Sequence, residues 1–261
     1  MDIDTAKLLV DSRKWYHGFE IIPGLVTPGQ SKWDPEARLD QLGVPKDLKD
    51  EKALDIATWD GPLAFAFESR GATTVATDIQ DPDVTAFNTA KKIRDSQISY
   101  TRCSVYDLTT HFEEDTFDRA GFLGVFYHLK YPVLAFEQIA RVLKIGGKVH
   151  FEGEILASYM ENLDGTKNST LDPIAIGESE VPLTACYPGK FKGGSNWHTP
   201  NMACLRAWLQ SSGLELEDFQ LNVQPQREPY PVQRVLGTAV KRRKVLLEHP
   251  IVDAKKYRRS D

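Results

Sequence analysis

Acidic residues spaced around a tight turn are the first chemistry this sequence offers. Asp55-Ile56-Ala57-Thr58-Trp59-Asp60-Gly61 follows a short apolar run, and Asp78 closes the next such run. In an open α/β sheet a ligand lies at the carboxyl ends of the strands, where an acid can accept both hydroxyls of a ribose. The turn is not built for a phosphate. The Gly-x-Gly-x-x-Gly spacing is missing, because Ala57 and Trp59 fill glycine positions, and no P-loop Lys follows. Asp55 and Asp60 would repel a pyrophosphate. They suit an adenosine ligand that carries positive charge, such as the amino and sulfonium groups of S-adenosyl-L-methionine. The alternative is an ordinary turn decorated with surface acids.

His17, His128 and His198 are the second set. A hydroxyl or amine that acts as a nucleophile must lose a proton, and imidazole is the side chain suited to take it near neutral pH. Tyr16, His17, Tyr127 and His198 each place a polar tip on an apolar segment, and they are expected to converge on one cavity. Trp15-Tyr16-His17 reads equally as a packing cluster. Three histidines in distant segments lack the spacing of a metal site, so no metal is expected. Glu152 and Glu154 lie in one strand-like run. One of them could face an acceptor, and the surface is expected to take the other. Lys241-Arg242-Arg243-Lys244 reads as a solvated face.

The elements that must position these residues alternate in type. Apolar runs at 53–57, 74–78, 98–104, 117–125 and 148–156 are separated by helical stretches at 62–70, from Pro82 to about Asp95, and at 133–143. That alternation predicts βαβ units on a parallel sheet. Gly146-Gly147 is expected to end the third of these helices. From 157 to 200 no period is legible, which predicts a structureless lid. A helix at 201–211 and strands at 214–223 and 232–240 follow. The first fifty residues read as a helix to about Trp15, a Gly/Pro-punctuated connection and a short helix from Pro35.

The 261 residues are 41% hydrophobic and 26% charged, the balance of a water-soluble α/β globule. A net charge of −5 argues against a general nucleic-acid binder. No apolar run is long enough to span a bilayer, and the acidic start does not read as a signal peptide. Cys103, Cys186 and Cys204 are an odd, unpaired set, so a reducing cytoplasm is expected.

The segments GFLGVFYHL (121–129) and RVLKIGGK (141–148) resemble the fourth-strand motif and the Gly-Gly turn of class I methyltransferases. Together with WYH (15–17), VTPG (26–29), LDIATWDG (54–61) and NWHTP (196–200), they resemble the tRNA 5-methoxyuridine methyltransferase-like group over residues 13–222. The resemblance implies a Rossmann-like, doubly wound, seven-stranded, mostly parallel sheet. It implies a helical cap at 1–50, a methyltransferase domain at 51–245 with an insertion at 157–200, and a tail at 246–261. The implied cofactor is S-adenosyl-L-methionine. Asp55, Ala57, Thr58, Trp59, Asp60 and Gly61 would wrap its methionine end, and Asp78 its ribose. Val105 and Tyr106 would meet the adenine, Leu123 and Tyr127 the sulfonium, with Trp33 and Ile79 completing the site.

The best-known branch of that group transfers a carboxymethyl group to a tRNA wobble uridine. It carries an Arg beside the Asn of NWHTP, where this sequence has Ser195. A neutral residue there leaves a carboxylated cofactor unpaired in a desolvated site, so the plain cofactor is expected. Lys190 and Lys192 are the nearest cations in sequence. The expected acceptor is a hydroxyl or amine of a small molecule such as a natural product, sugar or metabolite. The alternatives are a tRNA wobble uridine, or a non-catalytic cofactor-binding partner subunit.

Overall fold

The computed structural model describes residues 1–155, 160–168, 170–191, 194–224 and 232–245. Seven strands form one sheet: β1 (Lys52–Ile56), β2 (Thr73–Asp78), β3 (Ser99–Arg102), β4 (Phe117–Leu123), β5 (Leu143–Ile155), β6 (Leu214–Gln224) and β7 (Val232–Lys241). The order across the sheet is β6-β7-β5-β4-β1-β2-β3. All pairs are parallel except those that β7 makes with β5 and β6. The seven-stranded doubly wound expectation is met.

β1 is central, and all but its first residue are buried, which is why it reads as a continuous apolar run with one acid. Ala53 packs with Leu39, Leu63 and Phe67 on one face. Leu54 and Ile56 face Phe122, Phe136 and Phe151 on the other. The first layer contains α2 (Pro35–Gln41), α3 (Pro62–Ser69) and α4 (Phe87–Arg94). The second contains α5 (Pro132–Val142) and α7 (Met202–Ser211). Gly121 in β4 lets α3 approach closely: a Cβ there would stand 2.3 Å from Leu63.

Three expected boundaries moved for local reasons. The helix expected from Pro82 begins at Phe87, because Ala86 takes a left-handed backbone at φ 67° and the preceding residues turn around Asp81. β5 starts at Leu143 and runs through Gly146-Gly147 with a register shift, so the pair bends the strand rather than separating it from the helix. The region from 157 is not structureless where it is described. It holds α6 (Pro173–Glu178) and an antiparallel hairpin of Thr184–Phe191 with Asn196–Pro200.

The N-terminal helix α1 (Ile3–Asp11) stops before Trp15, whose indole N–H donates to the Val10 carbonyl at 2.8 Å. Ala6 and Val10 pack with Ala90 and Ile93 of α4, so this segment shares a core with the sheet's helices. Lys241 departs from the solvated-face expectation. It is buried, and its ammonium reaches Asp115 at 2.7 Å and the Leu143 carbonyl at 2.6 Å.

Candidate active site

The turn after β1 is held from inside. Ala57, Trp59 and Gly61 adopt left-handed backbone at φ 59°, 51° and 92°. The residues that replaced glycines thus take glycine-like conformations. At Gly61 no other residue fits, since a Cβ would stand 2.7–2.9 Å from the Phe65 and Phe87 rings. Asp55 accepts from the Thr58 hydroxyl at 2.6 Å and from the Ala64 amide in the first turn of α3 at 3.1 Å. Burial pushes its carboxyl up to about 7. Asp78, at the end of β2, accepts from the amides of Trp59 and Gln80, both at 3.0 Å.

Asp60 is fully buried and ties the N-terminal segment to this turn. One oxygen accepts from the amides of Tyr16 and His17 at 2.9 Å, and the other pairs with His17 Nδ1. The Tyr16 ring lies 5.7 Å from Trp59, and the His17 ring 5.5 Å from Trp33. Asp55 and Asp60 are therefore internal ties of the turn, not the decorating surface acids of the alternative reading. Past β2, Ile79 is exposed. Past β3, Ser104 caps a short turn that carries buried Val105 and half-buried Tyr106, whose hydroxyl accepts from the Tyr131 amide at 3.1 Å.

A second polar group stands past β4. Leu123 is half-buried, and Tyr127 is buried with its hydroxyl accepting from Arg234 at 3.1 Å. That guanidinium is also bonded twice to Glu152, through Nη2 at 2.7 Å and through Nε. Glu154 is buried and accepts from Asn196 at 3.3 Å. Neither glutamate is a surface acid, contrary to expectation. His128 Nδ1 meets the Ser195 hydroxyl at 3.0 Å, and burial lowers the ring's pKa. His198 donates from Nε2 to the Lys130 carbonyl at 3.2 Å, while its Nδ1 is buried without a partner.

The four residues expected to converge have their contacts in three places. Tyr16 and His17 sit on the β1–α3 turn, Tyr127 and His128 past β4, and His198 against Lys130 and Trp208. Among the described residues no hydrogen bond or ring contact joins the first pair to the others. Sequence reasoning missed Arg234. Its signal is a lone cation near the start of an apolar strand. Lys192 lies outside the described residues, as does the tail from 246, and the Lys190 side chain is not described.

Residues 54–151 match the family described as a methyltransferase domain. The seven-stranded sheet that holds these residues has the class I methyltransferase fold. S-adenosyl-L-methionine is the chain's cofactor. The curated relatives are distant. A tRNA U34 carboxymethyltransferase of Sulfurimonas denitrificans is 28% identical over 80% of this chain and 63% of its own length. The chain thus spans under two thirds of that relative. A ubiquinone biosynthesis O-methyltransferase of Xanthomonas oryzae is 25% identical over 69% of this chain and 70% of its own.

Two solved structures share the fold. An S-adenosylmethionine-dependent methyltransferase from Mesorhizobium loti has TM-score 0.58 and 17% identity, covering 79% of this chain and 98% of that one. A Burkholderia thailandensis 1,6-didemethyltoxoflavin-N1-methyltransferase has TM-score 0.54 and 15% identity, covering 79% and 76%.

The methyltransferase domain's own residues fit this cofactor. Asp78 has two lone-pair sites left after its two backbone bonds, enough for a ribose diol. The turn lines up left-handed residues and acids with no Lys or Arg within 55–61, which suits a cationic methionine end and not a phosphate. Among the described residues no group of three His, Cys, Asp or Glu could hold a metal, and no helix is long and apolar enough to cross a membrane.

Proposed function

We propose that this protein transfers the methyl group of S-adenosyl-L-methionine to a hydroxyl or amine of a small molecule held at the insertion, in the cytoplasm. The observation that carries this reading is a groove of 630 Å³ lined by Met160, Leu163, Leu171, Ile176, Leu183 and Tyr187 among others. Mostly apolar walls with a few polar groups, in roughly 300–1,000 Å³, characterise small-molecule sites. Tyr187, a wall of this groove, accepts from the Glu161 amide at 3.1 Å. Burial, with Glu161 and Glu154 nearby, raises its hydroxyl pKa.

When bound, S-adenosyl-L-methionine would supply an electrophilic methyl group for the acceptor's lone pair, with sulfur as the leaving group that keeps the electron pair. Asp78 would hold the ribose, Val105 and Tyr106 the adenine, and Leu123 and Tyr127 the sulfonium side, with Trp33 and Ile79 along the rim. Positioning of the acceptor is the chief source of rate in such a displacement.

A second reading, transfer to a tRNA wobble uridine, is favoured by Arg234 beside Tyr127 and by the carboxymethyltransferase relatives. Against it, Glu152 already holds that guanidinium, Ser195 is neutral, and the chain's net charge is −5.

Calorimetry separates these. Asp78→Ala should weaken the plain cofactor by about 1–3 kcal/mol, the worth of charged hydrogen bonds. Unchanged affinity in a folded variant would take Asp78 off the ribose. The wild type should bind S-adenosylmethionine more tightly than its carboxylated analogue, and the reverse order would move the assignment to tRNA. With labelled methyl donor and cell extract, label should enter the low-mass fraction. Cofactor binding without transfer to either fraction would leave a partner subunit.

A further inference from the structure

We propose that His17 is the general base of this methyl transfer and that Asp60 is the residue that positions it. The assignment rests on the methyl-transfer reading above. Three histidines compete for the role, and their surroundings differ in kind.

Asp60 has no exposed surface, and a carboxylate only accepts hydrogen bonds. Its pairing with His17 Nδ1 therefore puts the ring proton on Nδ1 and leaves the lone pair of the neutral ring on Nε2. Among the described residues no hydrogen bond uses that Nε2, and the side chain is 20% exposed. The ring's direction is set from three sides. The amides of Tyr16 and His17 anchor its backbone on Asp60, the Thr27 hydroxyl donates to its carbonyl at 2.7 Å, and Trp33 and Tyr16 flank the ring. All of this stands on the β1–α3 turn, where the cofactor's methionine end belongs.

The two rivals lack one or the other property. His128 has a hydroxyl as its partner, which cannot offset the charge of an imidazolium as a carboxylate does. His198 has its Nε2 on a carbonyl and its Nδ1 enclosed. Only His17 combines a buried carboxylate on one nitrogen with an open second nitrogen. In hydrolases that pairing holds the tautomer and stabilises the imidazolium that forms.

The step balances simply. As the acceptor's O–H or N–H bond breaks, its electrons stay on the acceptor and its proton goes to Nε2, from which water removes it. The ionisable groups around the ring are Asp60 and Tyr16, with Lys32 on the paired strand and Asp55 and Asp78 under the same turn.

The test uses the full chain with His17→Gln and Asp60→Asn. Nitrogen-15 spectra of the cofactor-free wild type should show the neutral His17 ring protonated at Nδ1, and Asp60→Asn should lose that preference. S-adenosylmethionine affinity should stay within about twofold in His17→Gln. Label transfer to the small-molecule fraction of a cell extract should fall on the order of 10²–10⁴-fold in that variant.

A His17→Gln rate within a few-fold of wild type, or a rate loss matched by lost cofactor affinity, would overturn the assignment. So would a wild-type ring protonated at Nε2, which still decides the matter if Asp60→Asn fails to fold. A wild type that binds cofactor but transfers no methyl at all defeats the functional reading itself, and this assignment with it.

Discussion

Around the β1–α3 turn most side-chain ties are short in sequence, and among the described residues those around Tyr127 are long. Asp55 reaches Thr58 and Ala64, three and nine residues on, and Asp78 reaches Gln80 and Trp59, two and nineteen residues away. On the other side, Tyr127 meets Arg234 at a separation of 107 residues, Arg234 meets Glu152 at 82, and His128 meets Ser195 at 67. The first region is acids satisfied by nearby amides and a hydroxyl. The second is an ion pair and its neighbours, assembled only when β5, β7 and the hairpin have come together. A local tie forms with its own βα unit, whereas the distant one depends on the whole sheet. Asp60, joined to His17 across 43 residues, is the one such bridge in the turn.

The largest expected effect breaks the distant network. Arg234→Ala leaves Glu152 charged and mostly buried, and removing one partner of such a pair costs about 3–5 kcal/mol. Urea unfolding should show this, and the double variant Glu152→Ala/Arg234→Ala should recover part of the loss. A double variant no better than Arg234→Ala would mean that packing of the guanidinium matters more than charge.

Next is the tie that holds the insertion. Asn201 is fully buried, donates to the carbonyls of Ile176, Ser179 and Val181, and accepts from the amides of Leu183 and Cys204. Asn201→Ala should cost about 2–4 kcal/mol by leaving several of these groups unpaired. Amide exchange should then quicken through 176–183 while the β1–α3 turn keeps its protection. Equal quickening at both would show the two regions to be one cooperative unit.

A third effect is read per unit of pH. Asp55 is pushed up to about 7 by burial, so its contribution to stability is full below its unfolded value near 3.8 and is lost as pH rises towards 7. His150, buried between Arg119 and Thr238, is pushed down to about 3. Its contribution is full above 6.5 and is lost as pH falls towards 3. Between about pH 4 and 6.5 the two oppose each other, each at about 1.4 kcal/mol per unit. Asp55→Asn should make stability rise with pH across that window, and His150→Gln should make it fall. Identical slopes in the two variants would contradict the opposed titrations.

The same contrast explains what could be read in advance. The apolar runs before Asp55 and Asp78 follow from strand period and lie where expected, whereas the left-handed backbone at Ala57 and Trp59 runs against their local preference. Asp60 was legible as a turn acid but not as the anchor of Tyr16 and His17, because that bond depends on how the N-terminal segment returns to the sheet. One of Glu152 and Glu154 was expected at the surface because strand alternation does not reveal whether the outward face will be covered by β7 and the hairpin. Arg234 was missed, because its partners Glu152 and Tyr127 lie 82 and 107 residues away.

By itself, then, the sequence determined the alternating elements, the sheet class and the acidic turn, since each rests on neighbours within a few residues. The tertiary structure decided which charges are paired, which histidine keeps an open nitrogen beside a carboxylate, and that the 157–200 stretch is folded where described. Those outcomes depend on desolvation and on partners many residues away. No local pattern encodes how much water a side chain will lose.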